Sequence, residues 1–353
     1  MKVALITDIH FGVRNDNTVF LDHQKRFFEE TFFPSLENEG IDTIINLGDT
    51  FDRRKFINYN TLYQAKDFFF DEIQRRGITM HVIVGNHDTT FKNTNEVNSP
   101  GLVFREYDNI IRYPNPTTTS IGGLDIVMMP WINQDNHEES YNLIKNSKAR
   151  VMFGHFELSD QSLMGKFKFD HGIKIKDITK FEHVFSGHYH HKITKKNFKY
   201  IGAPFCFDWG DAGTDRGFHI FDTETLDIKF VKNPHSLYQK VVWDDQDDSD
   251  TVVGGVSISE EEYNGKFVRV TVKHKGNPYL FDKWIESIEK AGAINVIIDE
   301  PMVQLSDEEV DVDEVEDTLT ALKKYINNTN DFENKDRLLY LMEELYNEAI
   351  NTN

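Results

Sequence analysis

The sequence predicts an α/β fold, and three features point to it. Short apolar runs rich in β-branched residues end in glycine or polar residues: KVALIT (2–7), DTIINLG (42–48), MHVIVG (80–85), LDIVMMP (124–130), ARVMFG (149–154) and EHVFSG (182–187). Runs of this kind suit strands covered on both faces. Helical periodicity fills the gaps between the first three runs, and polar side chains follow directly after most of them.

The elements follow in order. The opening run reads as a strand. Positions about 20–38 read as a helix with Phe27, Phe28 and Leu36 among its apolar positions. After the second strand, Leu62, Ala65, Lys66, Phe69, Phe70 and Ile73 recur at helical spacing over about 60–76. Strand, helix, strand, helix, strand implies a layered α/β architecture. Residues 100–220 hold more strand than helix, which predicts a mixed sheet.

Beyond Asp222 the character changes. KFVRVTV (266–272), YLFDKWIESIEKAG (279–292) and INVIID (294–299) form a compact β-α-β unit, its helix stopped by Gly292. The expected division is a main domain over 1–240, a small α+β capping domain over 260–305 and a C-terminal helical segment over 318–353. In that last segment Leu338, Leu341, Met342, Leu345, Tyr346 and Ala349 fall on one helical face. That face suits either packing on the chain's own domain or docking in a partner's groove.

Composition narrows the class. A chain of 353 residues suggests about two domains. Cys206 is the single cysteine, which rules out an intrachain disulfide and fits a reducing compartment. No apolar run approaches the ~18 residues that span a bilayer, and the opening apolar stretch is too short for a secretory signal. A cytoplasmic, non-membrane protein is the expectation. The net charge of −20 at first opposes a polyanionic substrate. Eighteen acidic residues, however, sit in two stretches free of Lys and Arg, 244–262 and 299–317, and setting them aside leaves 41 acidic against 39 basic residues. DNA binding would then rest on local patches, with Arg14, Arg53, Arg54, Lys55, Lys92, Lys166 and Lys168 as candidates.

Ligands of open α/β sheets sit beyond the carboxyl ends of the strands. There the sequence places Asp8 and His10, Asp49 and Asp52, Asn86, His87 and Asp88, His155, and His188, His190 and His191. Four of these five clusters follow a glycine, which permits a sharp turn and close backbone approach. Alone, DIH is a chance tripeptide and GNHD is ambiguous; five clusters at the same end of successive strands argue for one site. Carboxylate, imidazole and amide donors without thiolate suit Mn²⁺, Fe²⁺ or Zn²⁺, and there are enough of them for two ions. A two-metal site clamps the attacking and leaving oxygens of a phosphoryl group. In extended chain His188 and His190 point the same way and His191 points away.

The series Asp-x-His, Gly-Asp-x-x-Asp, Gly-Asn-His-Asp, Gly-His and Gly-His-x-His resembles the calcineurin-like metallophosphoesterases. The resemblance covers about residues 1–220. It implies a four-layer sandwich of two mixed sheets flanked by helices. It also implies that Asp8, His10 and His190 bind one metal, that Asn86, His155 and His188 bind the other, and that Asp49 bridges them. His87 would then be the proton donor near the leaving oxygen, with Asp52 orienting it, and Asp88 would fix the turn. GDTFDRR (48–54), YIGAPFCFDWGD (200–211), the small domain and the terminal helix are similar to nuclease subunits of SbcCD-type double-strand-break complexes, including the recombination endonucleases of T4-like phages. That resemblance implies a Mn²⁺-dependent (or Mg²⁺-dependent) 3′-5′ exonuclease and single-strand endonuclease. Its implied partners are DNA, an SMC-like coiled-coil ATPase bound through helix 331–350, and a second copy in a homodimer. A phosphatase or cyclic-nucleotide phosphodiesterase of the same superfamily is the alternative.

Overall fold

A computed structural model describes residues 1–159, 172–246 and 260–300, together with 335, 337–339 and 342. The chain divides into a unit of residues 1–301 and a unit of residues 302–353. In the second unit the described positions are helical; the rest of the expected terminal helix, like Lys166 and Lys168, lies outside the described residues.

The first unit contains fifteen described strands. The early ones are β1 (Lys2–Ile6), β2 (Thr43–Asn46), β3 (Thr79–Ile83), β4 (Ile110–Tyr113), β5 (Thr117–Ile121), β6 (Leu124–Met129), β7 (Val151–His155) and β8 (His183–Gly187). They are followed by β9 (Ile193–Lys195), β10 (Phe198–Tyr200), β11 (Gly217–Asp222), β12 (Ile228–Lys232), β13 (Tyr238–Asp244), β14 (Phe267–His274) and β15 (Asn295–Asp299). One six-stranded sheet has the order β12-β11-β1-β2-β3-β4, and a second has β5-β6-β7-β8-β10-β9. Strands β1 to β4 are mutually parallel, with Ala4 opposite Ile44 and Ile44 opposite Met80, while β11 runs antiparallel to β1. Both sheets are therefore mixed.

Alternation along the strands builds the layers. Ala4 and Ile6 face a phenylalanine-rich core that includes Phe27, Phe28, Phe32, Phe33 and Phe69. Their neighbours Val3 and Leu5 face the other way, into a core shared with Met128, Val151, Phe153 and Phe185 of the second sheet. Val127, Met152 and Val184 line that sheet's far side with Ile144 and Ile178 from flanking helices. Helix, sheet, sheet, helix: this is the four-layer sandwich.

The two long helices are not regular. The first starts at Asn17, whose side chain accepts from Val19 N at 3.0 Å, and ends at Gly40 with φ 64°. Each carries a π-type turn, at Phe28–Phe32 and Lys66–Phe70. Phe68, Phe69 and Phe70 are all buried. At about 100° per residue a regular helix fans three successive side chains over a wide arc, and a wider turn narrows that arc.

The small sheet has the order β13-β14-β15, all parallel, with the helix Pro278–Lys290 against it. Trp243, Val268, Val270, Val272, Phe281 and Ile288 form its core. Its first strand, β13, precedes the acidic stretch, so the small sheet begins before 260 and a boundary at 240 would cut that strand. The run YQKVVWD has an irregular polar pattern with only its Tyr and Trp buried, so its strand character comes from pairing with β14.

Candidate metal centre

The site forms where the carboxyl ends of β1, β2 and β3 in one sheet meet those of β7 and β8 in the other. Tight turns present the side chains. Asp8, His10, Asp49 and His188 all have positive φ, at 50°, 51°, 52° and 90°. Left-handed backbone at non-glycine residues is uncommon and concentrates at functional sites. Gly48, just before Asp49, has φ 102°, and a Cβ there would lie 2.6 Å from His155 Nδ1 and 2.9 Å from Gly85 Cα. Only glycine lets the β2 and β3 turns and the His155 ring come this close.

Two groups of donors result. In the first, Asp8, His10 and His190 each bring a donor atom within 4.8 Å of the others. His10 Nε2 is 3.2 Å from His190 Nε2 and 3.9 Å from an Asp8 oxygen. In the second, Asp49, His155 and His188 meet the same limit. Asn86 Oδ1 joins them, 2.9 Å from His155 Nε2 and 2.8 Å from His188 Nδ1. Asp49 stands between the groups, with Oδ2 3.3 Å from His155 Nε2 and 3.8 Å from His10 Nε2. All seven expected ligands are thus at one place. His191 is elsewhere, 3.3 Å from the Asp211 carboxylate.

The donor set fits divalent cations on its own chemistry. His155 Nδ1 is 2.8 Å from the carbonyl oxygen of Leu47, so that nitrogen carries the proton. In a neutral ring Nε2 would then aim a lone pair at two acceptors, Asn86 Oδ1 and Asp49 Oδ2. The Asn86 amide can turn its Nδ2 toward the ring, but the Asp49 carboxylate only accepts, so a proton on Nε2 or a cation among these atoms is what relieves that contact. The electrostatics agree. Burial opposes charge on His155, yet the Asp49 carboxylate outweighs it and raises its pKa to about 9. Burial likewise works against a charged Asp49, but His155, His10 and His87 hold it well below the usual carboxylate range. The mixed oxygen and imidazole donors are of the kind that suits Mn²⁺, Fe²⁺ or Zn²⁺. Cys206 is not among them; its Sγ faces the Asp211 carbonyl at 3.4 Å.

Around the donors, Asp88 fixes the turns. Its oxygens accept from Asp49 N and Gly85 N at 2.9 Å, and from Thr50 N and Ser99 Oγ at 3.1 Å. Asp52 differs from the expected arrangement. His87 Nδ1 donates to the main-chain oxygen of Asp52 at 2.6 Å, whereas the Asp52 carboxylate lies 3.4 Å from Nδ1 of His10. The backbone at 52 holds His87, and the side chain at 52 faces a different histidine. Of the candidate cations for DNA, Arg14 and Arg53 are half engaged: Arg14 Nε donates to Phe207 O at 2.8 Å, and Arg53 lies over the Phe56 ring at 4.8 Å. Arg54 is half-buried, and Lys55 and Lys92 are exposed.

Sequence reasoning did not single out three groups that bear on the site. Glu157 Oε1 is 3.1 Å from His188 Nε2. The Trp131 ring is 5.3 Å from the His188 ring. Arg216, buried, pairs with Asp211 at 2.5 Å and donates to the carbonyl of His190. Glu157 alone had a signal, as an acidic residue two positions after the strand-end His155.

Among the described residues, no helix is long and apolar enough to cross a membrane. Residues 1–192 match the calcineurin-like phosphoesterase family. The chain is similar to Exonuclease subunit 1 of Enterobacteria phage T4, 30% identical over 352 residues that cover 99% of each chain. Of solved structures, it is similar to an archaeal phosphodiesterase (14% identical, TM-score 0.35, covering 66% of this chain and 99% of the other). It is also similar to GAP50 of Plasmodium (13% identical, TM-score 0.37, covering 67% and 90%). With the family matched over more than half its length and a relative matched end to end, this chain belongs to the calcineurin-like phosphoesterases and is a metal-dependent phosphoesterase.

Proposed function

We propose that the chain is a two-metal DNA nuclease, a 3′-5′ exonuclease and single-strand endonuclease acting in recombination and double-strand-break processing. The observation that carries this reading is the convergence of two donor groups on the shared carboxylate of Asp49. The full-length similarity to a phage exonuclease subunit supports DNA as the substrate.

Asp8, His10 and His190 would hold one ion, Asn86, His155 and His188 the other, and Asp49 would serve both; Mn²⁺ is the proposed metal and Mg²⁺ its substitute. When bound, such ions neutralise charge on the phosphate and make a water acidic enough to attack at neutral pH. His87 protonates the leaving oxygen through Nε2, because Nδ1 is committed to the Asp52 carbonyl. Asp52 acts on His10, keeping its Nδ1 side turned away from His190.

The word subunit in the relative's name supports a partner. The proposed partner is an SMC-like ATPase engaging the segment 331–350, most of which lies outside the described residues. Tyr59 and Tyr63, one turn apart on the helix Tyr59–Ala65 and 89% and 68% accessible, are the side chains proposed for a homodimer contact.

The test is Mn²⁺-dependent cleavage of labelled duplex and single-stranded DNA, run beside a nitrophenyl phosphodiester and a monoester. DNA cleavage exceeding that of both small esters is the expected result. Monoester or cyclic-nucleotide hydrolysis without DNA cleavage would refute the nuclease reading and leave a phosphatase or cyclic-nucleotide phosphodiesterase.

A further inference from the structure

Three histidines of the site are tied to the fold in different ways. His155 and His87 each give one ring nitrogen to a main-chain carbonyl, Leu47 O and Asp52 O. His188 gives one to a side chain. Its Nδ1 faces Asn86 Oδ1 at 2.8 Å, and its Nε2 faces Glu157 Oε1 at 3.1 Å. The backbone beneath it is a bend with φ 90°, anchored by its N–H donating to both Asp8 oxygens at 3.1 Å. This ligand hangs just past the end of β8 rather than within it, and its ring direction rests on side-chain contacts.

We infer that Glu157 is a positioning residue for the metal centre: it fixes the tautomer and orientation of His188 so that Nδ1 is the ligand atom of the ion shared with Asn86 and His155. The inference rests on the metal reading of the site and is independent of what substrate is cleaved. An ionised carboxylate only accepts. With an ion on the Nδ1 side, where Asn86 Oδ1 would otherwise compete for the proton, it holds that proton on Nε2. A carboxylate behind a ligating histidine also raises the basicity of the ring, and removing such a partner typically costs ~10–100-fold in metal affinity. The Trp131 ring at 5.3 Å and the Tyr189 ring at 5.2 Å also lie beside His188, and the indole N–H of Trp131 only donates, so it cannot replace the carboxylate. Glu157 is 23% accessible, so its side chain can be changed without opening the core.

The experiment is a calorimetric Mn²⁺ titration of the metal-free full chain, as wild type, Glu157→Ala and Glu157→Gln, with ¹⁵N NMR of the histidine side chains of each loaded with diamagnetic Zn²⁺. Wild type should bind two ions. Glu157→Ala should weaken one of the two by ~10–100-fold, leave the other within about threefold, and lose the uniform Nε2–H form of His188. Glu157→Gln retains an acceptor oxygen and should restore most of the affinity and that tautomer. Two ions bound by Glu157→Ala with wild-type affinities, or an unaltered His188 tautomer, overturns the inference while the metal centre stands. A wild-type chain that binds no ion overturns the metal centre and this inference together.

Discussion

His87 Nδ1 lies 2.6 Å from the main-chain oxygen of Asp52, and the Asp52 carboxylate instead lies 3.4 Å from His10. The orientation of the proposed general acid is therefore a property of the backbone at 52. Removing the carboxylate should spare it. We expect His87→Ala to retain metal and lose ~10²–10⁴ in kcat, the range of a general acid. Asp52→Asn should lose at most about tenfold of it, taking a hydrogen-bonding shift at His10 as a modest effect. Steady-state kinetics on DNA or a phosphodiester measures both; equal losses in the two variants would show that the carboxylate does orient His87.

Asp49 touches both donor groups, whereas His190 belongs to one. Asp49→Ala should therefore bind neither ion tightly, and His190→Ala should keep one. Elemental analysis after dialysis against micromolar Mn²⁺ counts them. Two ions retained by Asp49→Ala would remove it from the bridging role.

Gly48 separates strain from steric clash. A Cβ there meets His155 Nδ1 at 2.6 Å and Gly85 Cα at 2.9 Å, and neither the ligand ring nor the backbone yields easily. Gly77 also has positive φ, 66°, but a Cβ there meets nothing within 4 Å. Both alanine variants bear the cost of left-handed backbone, about 1–2 kcal/mol. Gly48→Ala should bear about 1–3 kcal/mol more from overpacking and lose metal affinity as well. Urea denaturation of the two gives the comparison, and equal midpoints would contradict the packing described for the β2 and β3 turns.

His23 makes stability depend on pH. Burial, followed by the nearby His235 and Arg26, lowers its pKa to about 3. The folded state then keeps the ring neutral while the unfolded chain protonates it below about 6.5. The unfolded state binds more protons over that window, so stability is full above pH 6.5 and falls as pH drops toward 3. Between pH 7 and pH 5 this one group should cost on the order of 2 kcal/mol. His23→Leu should show that much less acid destabilisation in urea titrations at the two pH values; parallel losses in both proteins would assign the acid limb to other groups.

Much of this molecule was legible in its residues, because the information is local. The runs ending at Thr7, Gly48, Gly85, Gly154 and Gly187 announce strands by composition, and the donors after them announce a site by position. His191 does stand apart from His188 and His190, but the reason differs from the expected alternation: His188 lies in a bend with φ 90°, and His188 and His190 enter different donor groups. Other features were invisible for definite reasons. The π-type turns in the two long helices fall where Phe28, Phe32, Phe68, Phe69 and Phe70 join Ala4 and Ile44 in one core, and no periodicity in the residues marks them. Strand β13 has an irregular polar pattern and becomes a strand by pairing with β14.

The sequence by itself determined the layered α/β class, the positions of the central strands along the chain and the stock of oxygen and imidazole donors, all of which depend on residue type and short spacings. Only the tertiary structure decided which atom of each residue acts. It turned the Asp52 carbonyl to His87 and its carboxylate to His10, and it brought Glu157 behind His188 across 31 positions of chain. Ring tautomers and hydrogen-bond partners depend on side-chain direction, and that direction is set by contacts between segments far apart in sequence.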